Sequence, residues 1–512
     1  MHSTRDANFG RALLSRIEGD VIEGRTGFRL GGKELRASIE LWAKEYSRKI
    51  QEAADTGPIF LALELTLESV LAYLGALASG YPVLTLDAKE WTRKGPELLD
   101  DLRPALCWLP GRLKVQGEIE RSAVKVVQGI FFDANVHDEA NAAKSFAPGA
   151  GDCPDAALVR LLAPTSGSTG RPAIVKITDR NLAANTRDII AAQGLCARDC
   201  ALLCLPLSYC FGASVLHTHL WAGGSVVVDD RLMFAEKVLD AIEQYGCTSF
   251  AGVPTSYTFL QHHSRVLERS FPTLKRWLQA GGYLAASVVH AFRQAHPDVA
   301  FMVMYGQTEA TSRITTFTVE GDYPQGCVGY PMASLQVEVR LADTSQPCEI
   351  GREGEIWVRG ESVSAGYLHD EHPSSQRFVS GWLNTGDLGY LLADGRLCVS
   401  GRAAGFIKIR GRRVGSQEVE SLIWEQFSIQ SCACPIPDPA LGEVIGLYLS
   451  IERPDGKEAG ELDGQWDERI RAFFPRHWDL GPVLCGRLPM TSNGKVDRQR
   501  CRHLLLSRWG GR

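Results

Sequence analysis

The chain has 512 residues, 45% of them apolar and 22% charged, with 51 Gly and 24 Pro; at roughly 150 residues per domain this predicts about three folding units of ordinary globular make-up. Its 55 Lys and Arg against 60 Asp and Glu leave a net charge of −5. Disorder, collagen and coiled coil are excluded, and no bulk field draws the chain to nucleic acid or membrane.

The first twenty residues carry charges where the apolar core of a secretory leader would sit, which predicts a cytoplasmic protein with free thiols. The 14 Cys include no CxxC pair, and Cys196, Cys200 and Cys204 read as strand and core residues rather than a metal site. Two uncharged runs, 69–86 and 201–228, are broken by Gly80 and Pro82, and by Pro206, Gly212, Gly223 and Gly224. They are expected to be buried helix–strand units rather than membrane spans.

In chain order, 157–163 reads as a strand, followed by a Gly-rich turn and a helix capped near Thr178 or Asp179. That helix puts Leu182, Thr186, Ile189 and Ile190 inward and closes at Gly194. Further strands are predicted over 201–207, 225–228, 248–253 and 299–305, with a helix over 234–245 burying Val238, Leu239 and Ile242. Such alternation predicts an α/β fold whose ligands sit at the carboxyl ends of parallel strands. After about residue 335 short Gly-bounded strands such as 354–359 and 396–400 predict a small β subdomain. A domain boundary is expected at 402/403.

The motif at 165–170, TSGSTG, combines Gly167 and Gly170 with the hydroxyls of Thr165, Ser166, Ser168 and Thr169. Small residues let backbone N–H groups approach phosphate oxygens, and no Walker-type lysine follows. YGQTEAT at 305–311 brings an aromatic, a hydroxyl and a carboxylate to a strand's end, a set suited to a base, a phosphate and Mg²⁺. Asp387 in NTGDLG is a candidate acceptor for ribose hydroxyls, and LPMTSNGKVDR puts Lys495 on a loop near the C-terminus. Taken singly, each motif also reads as a linker, a solvated junction, a turn or a surface lysine.

In this order the motifs resemble the adenylate-forming superfamily of acyl-CoA synthetases, adenylation domains and luciferases. The stretches 71–87, 205–212, 279–284, 354–360 and 401–414 extend the resemblance over nearly the whole chain. It implies a large N-terminal domain of parallel-rich sheets flanked by helices, residues 1–402 with the β subdomain, and a small mobile α+β lid, residues 403–512. It further implies that Thr165 to Gly170 cover the ATP β- and γ-phosphates. Gly281 and Tyr305 would flank adenine, with Gly306 and Gln307 beside them. Thr308 would contact the α-phosphate, Glu309 would hold Mg²⁺, and Asp387 and Arg402 would bind the ribose. Lys495 would reach from the lid to the acid and the α-phosphate.

The implied reaction joins a carboxylic acid to AMP and passes the acyl group to a thiol, CoA or a carrier protein's phosphopantetheine. Amide formation with an amine and a binder without turnover are the alternatives, the latter because Ala173 and Ala404 depart from the family pattern. Gly212 stands where amino-acid-activating relatives carry Asp, so an α-amino acid substrate is not expected: its ammonium would lack a partner. Tyr209 either gates the acyl pocket or packs a strand end. The basic run of Arg402, Lys408, Arg410, Arg412 and Arg413 suits CoA phosphates, an acidic carrier or plain solvation.

Overall fold

A computed structural model describes residues 8–53, 57–111, 113, 125–128, 158–165, 173–321, 323–324, 326–342, 346–369, 376–402, 406–409, 412–438, 442–451, 460–475, 478–491 and 495–509. The first sheet is built from Ile59–Leu63, Val83–Asp87, Leu106–Leu109 and Lys125–Gln128, with Val159–Pro164 parallel beside them and Ile174–Thr178 antiparallel at the edge. Runs such as IFLAL and VLTLD are buried at every position, as a parallel sheet covered on both faces requires. The run 69–86 lies in the helix Leu67–Ser79 and the following strand. Thr66 caps that helix through Ser69 N–H, and Gly80 ends it at φ 96°, an αL cap that glycine adopts without strain.

The second sheet begins with parallel strands in the order Val21–Glu23, Ser225–Val228, Cys200–Leu203, Ser249–Gly252, Arg276–Gln279 and Ala300–Tyr305. From there it turns antiparallel through Thr315–Thr318 and Cys327–Pro331 into Leu397–Arg402, Trp382–Leu391, Gly354–Gly360 and Leu335–Arg340. This is the β-rich portion expected after residue 335, edge-joined to the parallel strands and carrying its own core of Ile314, Ile356, Val358 and Leu397.

One local expectation is corrected. The helix Asp179–Gln193 is capped as predicted, by a box of Thr178 and Asn181, and ends at Gly194 with φ 59°. The Gly-rich turn does not open it, however: the strand Ile174–Thr178 intervenes, pairing Pro164 with Ile174 and Val159 with Thr178. The strands on either side of the turn are therefore antiparallel partners, and the helix begins only after the second of them. The β-branched residues Ile174, Val175, Ile177 and Thr178, concentrated in five positions, are the physical reason.

A third sheet gathers Phe406–Ile409, Arg412–Gly415, Ser431–Asp438, Gly442–Ser450, Gly460–Glu461 and Leu480–Gly486. Its own core includes Val419, Ile423, Ala433, Ile445, Leu447 and Ile470. Side chains of its unit reach the helix Pro254–His263, which follows a strand of the second sheet: Gln430 Nε2 donates to Thr258 Oγ1, and Trp424 of the helix Ser416–Phe427 meets His262 edge-on at 5.3 Å. The basic C-terminal segment is a helix, Arg498–Trp509, burying Cys501 and Leu505. Among the described residues no helix is long and apolar enough to cross a membrane.

Candidate active site

The carboxyl ends of Cys200–Leu203, Ser249–Gly252, Arg276–Gln279 and Ala300–Tyr305 stand side by side. Each releases a segment toward one cleft, because parallel neighbours point the same ends the same way. A cavity of about 1000 Å³ opens there, lined among others by Thr165, Tyr209, Val253, Gly281, Arg402 and Lys495. A smaller one of about 180 Å³ adjoins it, sharing Gly281, Arg402 and Lys495 and bordered by Tyr305, Gly306 and Asp387.

Gly281 has φ +90°, and a β-carbon there would lie 3.1 Å from Lys495 Cε and 3.4 Å from Nζ. Lys495 thus reaches across from the third sheet's unit and lies along the glycine. Taken as a whole the residue is exposed. Its ammonium is hemmed in by the cleft walls, and this desolvation pushes the pKa below the ordinary lysine range; Cys210 and Asp387 oppose the shift and Arg402 reinforces it.

Asp387 is buried and faces Arg402 across an antiparallel pair. Tyr305 Oη donates to Asp387 Oδ2 at 2.5 Å, and Arg402 Nε lies 3.3 Å from Oδ1. Burial raises the Asp387 pKa, while Arg402 and the Tyr305 hydroxyl pull it back. Burial, with the Asp387 charge, holds the Tyr305 phenol well above its usual range. Tyr305 is therefore a buttress of Asp387 as well as a wall of the smaller cavity.

Glu309 and Thr308 sit on the single turn Thr308–Ala310. Glu309 Oε1 accepts from Tyr367 Oη at 2.7 Å and from Arg377 Nη1 at 2.9 Å. Arg377 Nη2 donates to Gln307 Oε1 at 2.8 Å and to Thr385 O at 2.6 Å. Thr308 Oγ1 donates to Cys210 Sγ at 3.6 Å. Sequence reasoning missed Arg377, Tyr367 and Cys210. The first two lie on loops with no motif of their own, and Cys210 is hidden inside a stretch whose motif is carried by its neighbours.

Thr165 closes the neck of the Gly-rich turn: its N–H and Oγ1 both bond Ala173 O, at 2.8 and 3.1 Å. Ser166, Gly167, Ser168, Thr169 and Gly170 lie outside the described residues, as do Ala404 and Arg410, and as do the side chains of Lys408, Arg412 and Arg413. Tyr209 precedes the helix Cys210–Trp221 and borders the larger cavity. Gly212 does not open onto that cavity; a β-carbon there would meet Pro206 O at 2.3 Å and Leu205 O at 2.9 Å. Close backbone packing, not an emptied ammonium site, accounts for glycine at 212.

Residues 48–368 match the family model described as AMP-binding enzyme. The oxalate–CoA ligase of Arabidopsis thaliana is 28% identical over 346 residues, 65% of this chain and 65% of that relative. The chain thus matches just under two thirds of that relative's length. Among solved structures, ATP-bound MatB from Rhodopseudomonas palustris superposes with a TM-score of 0.82 at 21% identity, over 98% of this chain and 99% of its own. The amide bond synthetase McbA from Marinactinospora thermotolerans gives 0.79 at 23% identity, over 98% and 99%. These two likenesses establish the fold.

Proposed function

Because the chain belongs to the AMP-binding enzyme family, we propose that it activates a small carboxylic acid with ATP. The carboxylate oxygen attacks the α-phosphorus, the bond to pyrophosphate breaks, and an acyl-AMP forms. The acyl group then passes to a thiol, CoA or a carrier-borne phosphopantetheine, and AMP leaves. The observation that carries this reading is the convergence of Gly281, Tyr305, Asp387, Arg402 and Lys495 on one pair of adjoining cavities.

In this scheme adenine lies between Gly281 and Tyr305, with Gly306 and Gln307 alongside, and the ribose hydroxyls meet Asp387 and Arg402. Thr308 donates to the α-phosphate, and the 165–170 turn covers the β- and γ-phosphates. Two anions must meet, so the protein's task is chiefly to supply positive charge and alignment, which suits the Lys495 ammonium. Glu309 fits Mg²⁺: its Oε2 takes neither the Tyr367 nor the Arg377 bond, and one carboxylate with substrate phosphates is a usual magnesium environment. The ion, when bound, would offset phosphate charge.

Residues 403–512 would act as a lid that first delivers Lys495 and then turns away to admit the acceptor. The side-chain links from the third sheet's unit to the helix Pro254–His263, Gln430 to Thr258 and Trp424 to His262, are non-covalent contacts that such a motion would break and remake. The amide synthetase likeness keeps an amine as the second reading for the acceptor. The test is acid-dependent exchange of labelled pyrophosphate into ATP over a broad acid panel. Exchange is expected with at least one acid, and its absence throughout would leave a nucleotide binder. Offering CoA, a phosphopantetheinylated carrier or an amine to preformed acyl-AMP then identifies the acceptor.

A further inference from the structure

Arg313 is only 2% exposed. Its segment is rigidly held: Asn185 Nδ2 donates to Arg313 O at 2.9 Å, Arg313 N–H donates to Asn185 Oδ1 at 3.2 Å, and Thr311 Oγ1 donates to Ser362 O at 2.7 Å. The guanidinium lies over the Phe211 ring, 4.7 Å from its centroid. Phe211 adjoins Cys210, which accepts from Thr308. Arg313 also stands directly behind Gly306 of the smaller cavity, since a β-carbon on Gly306 would sit 2.9 Å from Arg313 Cα. The backbone of Arg313 thus stands behind the smaller cavity, while its guanidinium packs on Phe211, next in the chain to Cys210.

This cation lacks the partner that burial normally demands. Among the described residues no carboxylate lies within ion-pair distance of it, and Nε has no hydrogen-bond acceptor. The contrast within the same molecule is Arg160, also 2% exposed, which grips Asp179 through Nε at 2.9 Å and Nη2 at 2.8 Å. Desolvation pushes the Arg313 pKa down to about 10, with only the Cys210 thiol opposing it. Two more buried polar groups of the same short segment, Gln307 Nε2 and Ser312 Oγ, also lack partners among the described residues. Isolated buried charge is costly unless an anion arrives to pair with it.

We propose that Arg313 selects an acid carrying a second anionic group, a short dicarboxylate or a sulfonated carboxylic acid, and pairs with that remote group while the other carboxylate is activated. This rests on the adenylation reading above and narrows its substrate class. The same cation disfavours a substrate ammonium, an exclusion that Gly212 itself does not enforce.

The experiment compares kcat/KM for acid-dependent pyrophosphate release by the full chain with ATP and Mg²⁺, using malonate and succinate against propionate and butyrate. The wild type is expected to prefer the dianions by at least about tenfold. Arg313→Met should lower that preference ratio by about thirtyfold or more, and Arg313→Lys should recover part of it. A wild type that prefers the monoacids, or a ratio that Arg313→Met leaves unmoved, overturns the proposal. Should Arg313→Met fold poorly, the wild-type ratio and calorimetric titration of succinate against butyrate decide. Turnover of monoacids alone removes this inference and leaves the adenylation reading standing; no turnover of any acid removes both.

Discussion

Lys495 lies along Gly281, its Cε 3.1 Å from where a β-carbon would stand, although 214 residues separate the two in the chain. Gly281 also holds φ +90°, a conformation that an L side chain adopts only under strain. Gly281→Ala therefore combines backbone strain with displacement of the ammonium. It is expected to cost on the order of 1 kcal/mol in stability and to lower acyl-AMP formation by about tenfold or more. Thermal unfolding and acid-dependent pyrophosphate release measure the two effects. A variant with full activity would show that the Lys495 contact is incidental.

Lys495→Ala is expected to cut acyl-AMP formation by at least about a hundredfold, while thiolysis of supplied acyl-AMP survives. Equal loss of both steps would remove the role assigned to this lysine. The group acts in its charged form, and burial in the cleft lowers its pKa. The first half-reaction should therefore fall on the alkaline side at a lower pH than a free lysine would dictate. Lys495→Arg should move that limb upward, because a guanidinium stays charged.

Arg377 donates five bonds, to Glu309, Tyr367, Gln307, Asn384 and Thr385. Removing it frees Glu309 and Gln307 from a common clamp. Arg377→Ala should lower kcat for pyrophosphate release by about ten- to a hundredfold and shift the Mg²⁺ concentration that gives half-maximal rate. An unchanged magnesium titration would show that the clamp does not tune the proposed metal ligand.

Arg160 and Asp179 tie the first sheet to the helix that follows it, and Asp179 Oδ1 also accepts from Phe9 N–H at 2.8 Å. Arg160→Met would strand that carboxylate inside the protein, so a loss of about 3–5 kcal/mol is expected, read by denaturant unfolding. Arg160→Met/Asp179→Leu should recover part of the loss, since an apolar pair leaves no buried charge unmatched.

The chain's periodicities alone marked the helices Asp179–Gln193 and Ala235–Gln244 and the strands near 200–203, 225–228, 249–252 and 300–305, because burial on one face repeats every 3.6 or two residues whatever the partner; they missed the strand Ile174–Thr178. They also marked Gly194 as a helix end, and it adopts the positive φ that a cap needs. The motifs marked Tyr305, Asp387, Arg402 and Lys495 as chemistry-bearing residues. What bound Lys495 to Gly281, Tyr305 to Asp387 and Arg377 to Glu309 was decided only by the tertiary structure. Parallel strands bring their carboxyl ends together irrespective of sequence distance, and a charge's partner depends on that spatial neighbourhood. Arg313 is the clearest case: in the sequence it is an ordinary arginine after a motif, and only burial without a carboxylate makes it a question about the substrate.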